Sequence, residues 1–241
     1  MKEQLHGKNS RCFDHSEVKQ KIFLVQDEPV FAQTENAREL IEYLSLFYPA
    51  LESELFYDLL SQLKLNPKQP FSAFSKGMKR QVLMAAGLAA HPELLLIDEV
   101  FDGLDPFARR LLQGQLAAQT VEEGMASILT SHRLSDLENF CDEYALLDEK
   151  RILHQNSMFQ TQQELVKVHL AFDHPIDPAM FQDFEVLKLE IHSRMAQAIL
   201  RGKREAMEAK LRKQNPVILE IFDCTLEEVF LAQLEKREEL Q

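Results

Sequence analysis

Cysteine is scarce in this 241-residue chain, and the three present, Cys12, Cys141 and Cys224, stand far apart. That spacing builds neither a disulfide framework nor a zinc-ligand cluster. Long apolar runs are missing as well. The longest, Val82 to Ala90, falls well short of the roughly 20 residues that a bilayer-spanning helix needs. No basic segment followed by an apolar stretch opens the sequence, so no secretory leader is expected. Internal repeats and low-complexity tracts are also lacking. Positive charge is in deficit: 27 Lys and Arg stand against 39 Asp and Glu, a net charge of −12. This disfavours non-specific binding to nucleic acid or anionic membrane, while leaving room for a local basic patch. The hydrophobic share, 45%, is that of an ordinary globular protein. The length fits one large domain, or one domain with a small companion. A soluble, cytosolic, acidic protein is expected.

Up to about Met158, short apolar runs alternate with amphipathic helical patterns. Lys21–Val25 reads as a strand, Asn36–Phe47 and Glu52–Leu63 as helices, and Ser75 as the N-cap of a helix through Ala90. Leu94–Ile97 is uniformly apolar, as expected of a parallel strand covered on both faces. Pro106–Ala118 reads as a helix, Ala126–Thr130 as a strand and Leu134–Phe140 as a helix. Tyr144–Leu147 with Arg151–His154 suggest a hairpin. Alternating strands and helices predict a wound α/β sheet. After Met158 the rhythm changes to short alternating strands at 166–172, 187–191, 195–200 and 217–221, a charged helix at 203–213 and a terminal helix at 226–235. The order is that of a split βαβ, ferredoxin-like unit. Thr225 and Glu228 form a capping box for the last helix. The expected organisation is a domain over residues 1–158, with a helical subdomain at about 30–90, followed by an α+β accessory domain over 159–241.

Chemistry concentrates in Phe74-Ser-Lys-Gly-Met-Lys-Arg-Gln81 and Leu94-Leu-Leu-Ile-Asp-Glu-Val-Phe-Asp-Gly-Leu-Asp-Pro106. An apolar strand ending in two acids sets carboxylates where open α/β sheets bind ligands. Asp98 would hold Mg²⁺ there, and Glu99 would orient and deprotonate a water. Read alone, the pair is equally a solvated acidic turn. Ser75-Lys76-Gly77-Met78 opens a helix, whose free N–H groups and dipole favour a phosphate, though many such starts are merely capped. Gly103-Leu-Asp105 alone is an ordinary turn, and a lone His132 beyond a strand is commonly structural. The order of all four is the informative feature. Ser75, Asp105 and His132 lie 23, 7 and 34 residues from Asp98.

Together these segments resemble the nucleotide-binding subunit of an ABC transporter of bacterial exporter type. Phe74–Lys79 resembles the signature motif, Leu94–Asp98 the Walker B strand, Gly103–Asp105 the D-loop, His132 the switch histidine and Gln26 the Q-loop glutamine. Thr225-Leu-Glu-Glu-Val-Phe-Leu231 resembles the ending of many such subunits. The resemblance implies a P-loop NTPase fold, with ATP and Mg²⁺ as cofactors. Glu99 would be the general base, and His132 and Gln26 catalytic residues. Asp98 and Gln26 would act at the metal. Ser75, Lys76, Gly77, Met78 and Asp105 would meet ATP across a dimer. Implied partners are a membrane-spanning permease and a second ATP-binding subunit, with no nucleic acid. The implied place is the inner face of the cell membrane.

One departure is large. The phosphate-cradling G-x-x-x-x-G-K-[ST] is absent, since the glycines at 7, 77, 87, 103, 114, 124 and 202 include no pair five apart before Lys-Ser/Thr. Gly7-Lys8-Asn9 lacks both the earlier glycine and the hydroxyl. The sequence is thus expected to start inside the domain, with weak ATP affinity and apolar surface bared on Leu94–Ile97 and Ile128–Leu129. The motifs support two functional readings. One is an ATPase subunit truncated at its nucleotide-binding start, or a degenerate gene product. The other is a non-catalytic or regulatory partner that supplies its signature motif in trans.

Overall fold

The computed structural model of the chain describes residues 15–31, 34–138, 140–148 and 151–238. Gly7-Lys8-Asn9 and Cys12 lie outside them. The chain divides into two compact units at His132/Arg133. The composition boundary near Met158 lies further along, so the 143–157 hairpin belongs to the second unit.

In the first unit the order is α1 (Ser16–Lys19), β1 (Ile22–Val25), α2 (Ala37–Leu44), α3 (Ser53–Gln62), α4 (Lys76–Ala89), β2 (Leu94–Asp98), α5 (Pro106–Glu123) and β3 (Ala126–Thr130). A 3-10 turn, Phe71–Ala73, precedes α4. The strands form a parallel sheet in the order β1-β2-β3, with Val25 opposite Ile97 and Asp98 opposite Thr130. Helical crossovers make the parallel pairing possible. Phe23, Val25, Leu95 and Ile97 are buried, as are Val82, Met84, Ala85 and Leu88 of α4 and Leu112 and Leu116 of α5. Each such large side chain contributes about 1.5–3 kcal/mol by leaving water. Gly87 lets α4 approach the sheet: a Cβ there would lie 3.0 Å from the Phe23 ring and 3.1 Å from Leu95.

The expectation of a strand covered on both faces needs correction. Leu95 and Ile97 are buried, but Leu94 and Leu96 only partly so. Leu24 and Ile128 are 46% and 52% exposed. Among the described residues no strand pairs with the outer edge of β1 or β3. Within Leu94–Ile97 the bared apolar surface is confined to alternate residues, because the pleat sends the others toward the helices. Helix α5 outlasts the expected Ala118 and stops at Gly124, whose φ of 72° gives a left-handed C-terminal cap.

In the second unit, α6 (Leu134–Glu138) precedes the hairpin of β4 (Glu143–Asp148) and β5 (Arg151–Ser157). Helix α7 (Met158–Glu164), for which the sequence offers no clear pattern, is capped by Ser157. Then come β6 (Leu165–Ala171), a 3-10 turn (Pro178–Phe181), β7 (Glu185–His192), β8 (Met195–Arg201), α8 (Arg204–Arg212), β9 (Ile218–Asp223) and α9 (Leu226–Glu238). The sheet order β7-β8-β6-β9, antiparallel at every pairing, is the expected split βαβ arrangement. One face packs Val166, Val168, Leu170, Ala198 and Leu200 against Met207 and Leu211 of α8. The other packs Leu165 and Ile199 against Val229 and Ala232 of α9.

Candidate functional site

Parallel pairing aligns the carboxyl ends of β1, β2 and β3, so the residues just beyond each strand meet at one sheet edge. Gln26 comes directly after Val25 and is exposed. Asp98 closes β2, where its Oδ1 accepts a 2.7 Å hydrogen bond from Thr130 Oγ1. Glu99 comes next, its N–H bonded to the Thr130 carbonyl at 3.2 Å. Its φ of 55° is left-handed, a conformation that costs a non-glycine residue about 1–2 kcal/mol. From there its Oε2 lies 2.6 Å from His132 Nδ1. Asp102 Oδ2 reaches the same nitrogen at 3.1 Å. Partial burial pushes the Glu99 carboxyl upward. The hydrogen bonds with Asp102 and His132, together with the His132 charge, outweigh it and hold Glu99 below the ordinary carboxylate range.

The second part of the site is the start of α4. Ser75 is the N-cap, its Oγ accepting from Met78 N at 3.2 Å. Gly77 packs so closely that a Cβ would stand 3.1 Å from the Gly103 carbonyl. Gly103 itself has a φ of 79°. Asp105 caps α5, accepting from Phe107 N and Ala108 N at 3.0 Å, and meets Gln81 Nε2 at 3.3 Å. The signature-like segment and the 103–105 turn are thus fitted to each other. Lys76 is turned elsewhere. Its Nζ lies 2.9 Å from Asp27 and 3.4 Å from Glu28 in the loop after Gln26.

Three residues in this region are not marked out by the sequence: Arg80, Asp27 and Asp102. Arg80, 7% exposed, pairs with the Asp27 carboxylate, donates through Nε to the Asp27 carbonyl at 2.9 Å and donates to the Asp102 carbonyl. Arg80 and Asp102 lie inside the chemistry-bearing blocks, but nothing in spacing alone reveals that one arginine ties both loops to α4.

The donor set suits a hard cation. Asp98 supplies a carboxylate and Gln26 an amide oxygen at one sheet edge. The start of α4 suits an anion, with backbone N–H groups and the Ser75 hydroxyl. The 241 residues carry no G-x-x-x-x-G-K-[ST].

No family model matches the chain. Among curated proteins it is similar to the ABC transporter ATP-binding protein YtrB of Bacillus subtilis. The two are 24% identical over 219 residues, which cover 91% of this chain and 75% of that protein. The linearmycin resistance ATP-binding protein LnrL of the same species is 31% identical over 143 residues, 57% of this chain and 46% of LnrL. The Nod factor export ATP-binding protein I of Ralstonia nicotianae is 32% identical over 130 residues, 53% of this chain and 40% of that protein. The match thus spans three quarters of the first and less than half of the other two. A solved ATP-binding subunit of an ABC transporter shares the fold with a TM-score of 0.58 and 24% identity, over 64% of this chain and 66% of that one. So does an ATP-binding cassette dimer in a post-hydrolysis state with ADP and phosphate, with a TM-score of 0.52 and 19% identity, over 60% and 68%.

Proposed function

We propose that this chain is an ATP-binding subunit of an ABC transporter and couples ATP hydrolysis to export as one half of a nucleotide-binding dimer, as its likeness to such subunits suggests. The observation carrying this reading is the 2.6 Å contact of Glu99 with His132 directly after Asp98. ATP with Mg²⁺, when bound, supplies the phosphoanhydride whose cleavage releases free energy. Asp98 and the Gln26 amide oxygen would hold the cation. Glu99, ionised at neutral pH, would take the proton of an attacking water. His132 meets the Glu99 carboxylate through Nδ1, so Nε2 would be the ring nitrogen that faces a terminal phosphate. Gln26, one residue beyond β1, would relay occupancy of this edge to the membrane-spanning partner. Exposed apolar groups after α2, Leu46 at 76% and Phe47 at 47%, support the helical stretch as the face toward that permease.

The motif inventory favours a division of labour between subunits. Ser75, Gly77 and Asp105 form the half that would grip a triphosphate held by a second subunit, while the cradle for this chain's own triphosphate is missing from its 241 residues. Without those N–H groups and that lysine, the chain alone holds ATP weakly. No described helix is long and apolar enough to cross a membrane. The proposed location, the inner face of the cell membrane, therefore rests on the permease contact.

Light scattering of the chain mixed with a P-loop-containing partner subunit tests the reading. ATP should produce a heterodimer, and Ser75→Arg should abolish it by placing a bulky cation at the helix start. ATP-dependent pairing that survives Ser75→Arg contradicts the proposal.

A further inference from the structure

Arg80 is buried, and all three of its guanidinium nitrogens are engaged by two different loops. Nε donates to the Asp27 carbonyl at 2.9 Å, Nη2 meets the Asp27 carboxylate and Nη1 donates to the Asp102 carbonyl. The first loop follows β1 and opens with Gln26. The second follows β2 and carries Glu99, whose carboxyl is hydrogen-bonded with the Asp102 side chain. Pairing of the two strands ends at Val25 opposite Ile97, and Arg80 spans the loops beyond it. The second loop wraps closely round Nη1, since a Cβ on Gly103 would stand 3.4 Å from it. A guanidinium is a rigid plane, so it cannot follow one loop without pulling on the other.

We propose that Arg80 is a positioning residue that couples the Gln26 loop to the Glu99 turn. This rests on the roles given above to Gln26 and Glu99. A displacement arriving at the Gln26 loop shifts Asp27, turns the guanidinium and carries the Asp102 peptide with it. The carboxyl that Glu99 bonds then moves too. Arg80 meets neither the attacking water nor the phosphate and acts only through the two loops. Lysine in its place would keep the charge but offer one nitrogen instead of a three-nitrogen plane.

The test needs no nucleotide, so its failure is separable from failure of the hydrolytic reading. In the ¹⁵N-labelled 241-residue chain the reporter is the Gly103 N–H, which shares a planar peptide with the Asp102 carbonyl. Asp27→Asn, close in size, loosens the grip of Arg80 on the first loop and should move the Gly103 resonance. The same Asp27→Asn made in an Arg80→Lys chain should leave it in place. Glu28→Gln removes a neighbouring charge that meets Lys76 at 3.4 Å, and should not move it. If circular dichroism shows Arg80→Lys unfolded, the comparison of Asp27→Asn with Glu28→Gln decides the matter. A Gly103 resonance unmoved by Asp27→Asn, moved as far by Glu28→Gln, or moved as far by Asp27→Asn in the Arg80→Lys chain, overturns the proposal.

Discussion

Arg80 has 7% of its surface exposed and commits its guanidinium to the Asp27 carboxylate, the Asp27 carbonyl and the Asp102 carbonyl. Removing it leaves the Asp27 and Asp102 carbonyls without this donor, and the Asp27 carboxylate with Lys76 alone. Arg80→Met should therefore destabilise the first unit by about 2–3 kcal/mol, read as a lower urea midpoint. The exposed pair Lys21–Glu93, 2.7 Å long with side chains 55% and 70% exposed, should give no measurable change when Lys21 becomes Ala. Equal effects would contradict this ranking. The contrast also marks what single residues disclose. Asp98, Glu99 and His132 announced themselves through type and order. Arg80, Asp27 and Asp102 did not, because their partners lie up to 53 residues away and only the packing of α4 on the sheet edge joins them. Lys76, expected at nucleotide, lies here against Asp27 and Glu28 of the same loop.

Local rules worked where an element carried its own punctuation. Ser75, Asp105 and Thr225 stand at the predicted helix starts. The capping box is complete: Glu228 N donates to Thr225 Oγ1 at 3.2 Å, and Thr225 N donates to Glu228 Oε2 at 3.0 Å. Its other oxygen takes Lys167 Nζ at 2.6 Å, tying α9 to β6. Burial pushes the Glu228 carboxyl upward, but the Lys167 hydrogen bond and the Thr225 N–H outweigh it, so it sits below the usual range. A depressed folded value stabilises the fold above the unfolded pKa, and that stability is lost as pH falls through the folded pKa. Glu228→Gln should therefore lower the melting temperature at pH 7, by an amount equivalent to about 1 kcal/mol, and much less at pH 3. An equal loss at both pH values would show that the charge is irrelevant. Elements without clear patterns were harder to see. Helix α7 reads Met-Phe-Gln-Thr-Gln-Gln-Glu and has no apolar stripe. The extension of α5 to Glu123 became legible only through the left-handed Gly124.

For the whole molecule, fold class followed from the rhythm of strands and helices in both units, and the sheet of the second unit has the expected split βαβ arrangement. Less legible was how much of the parallel sheet is covered. A run of four apolar residues in β2 looks the same whether two faces are packed or one. The structure packs one face and leaves Leu24 and Ile128 open on the other. The functional account depends on a corresponding asymmetry. Groups suited to act on a triphosphate are assembled at the edge of the sheet and at the start of α4, while the wrap of amides that would hold one is missing from the sequence. Calorimetric titration of the purified 241-residue chain with Mg·ATP, no partner present, tests this most directly. The account predicts no binding in the micromolar range, and a saturable micromolar site on the isolated chain would contradict it.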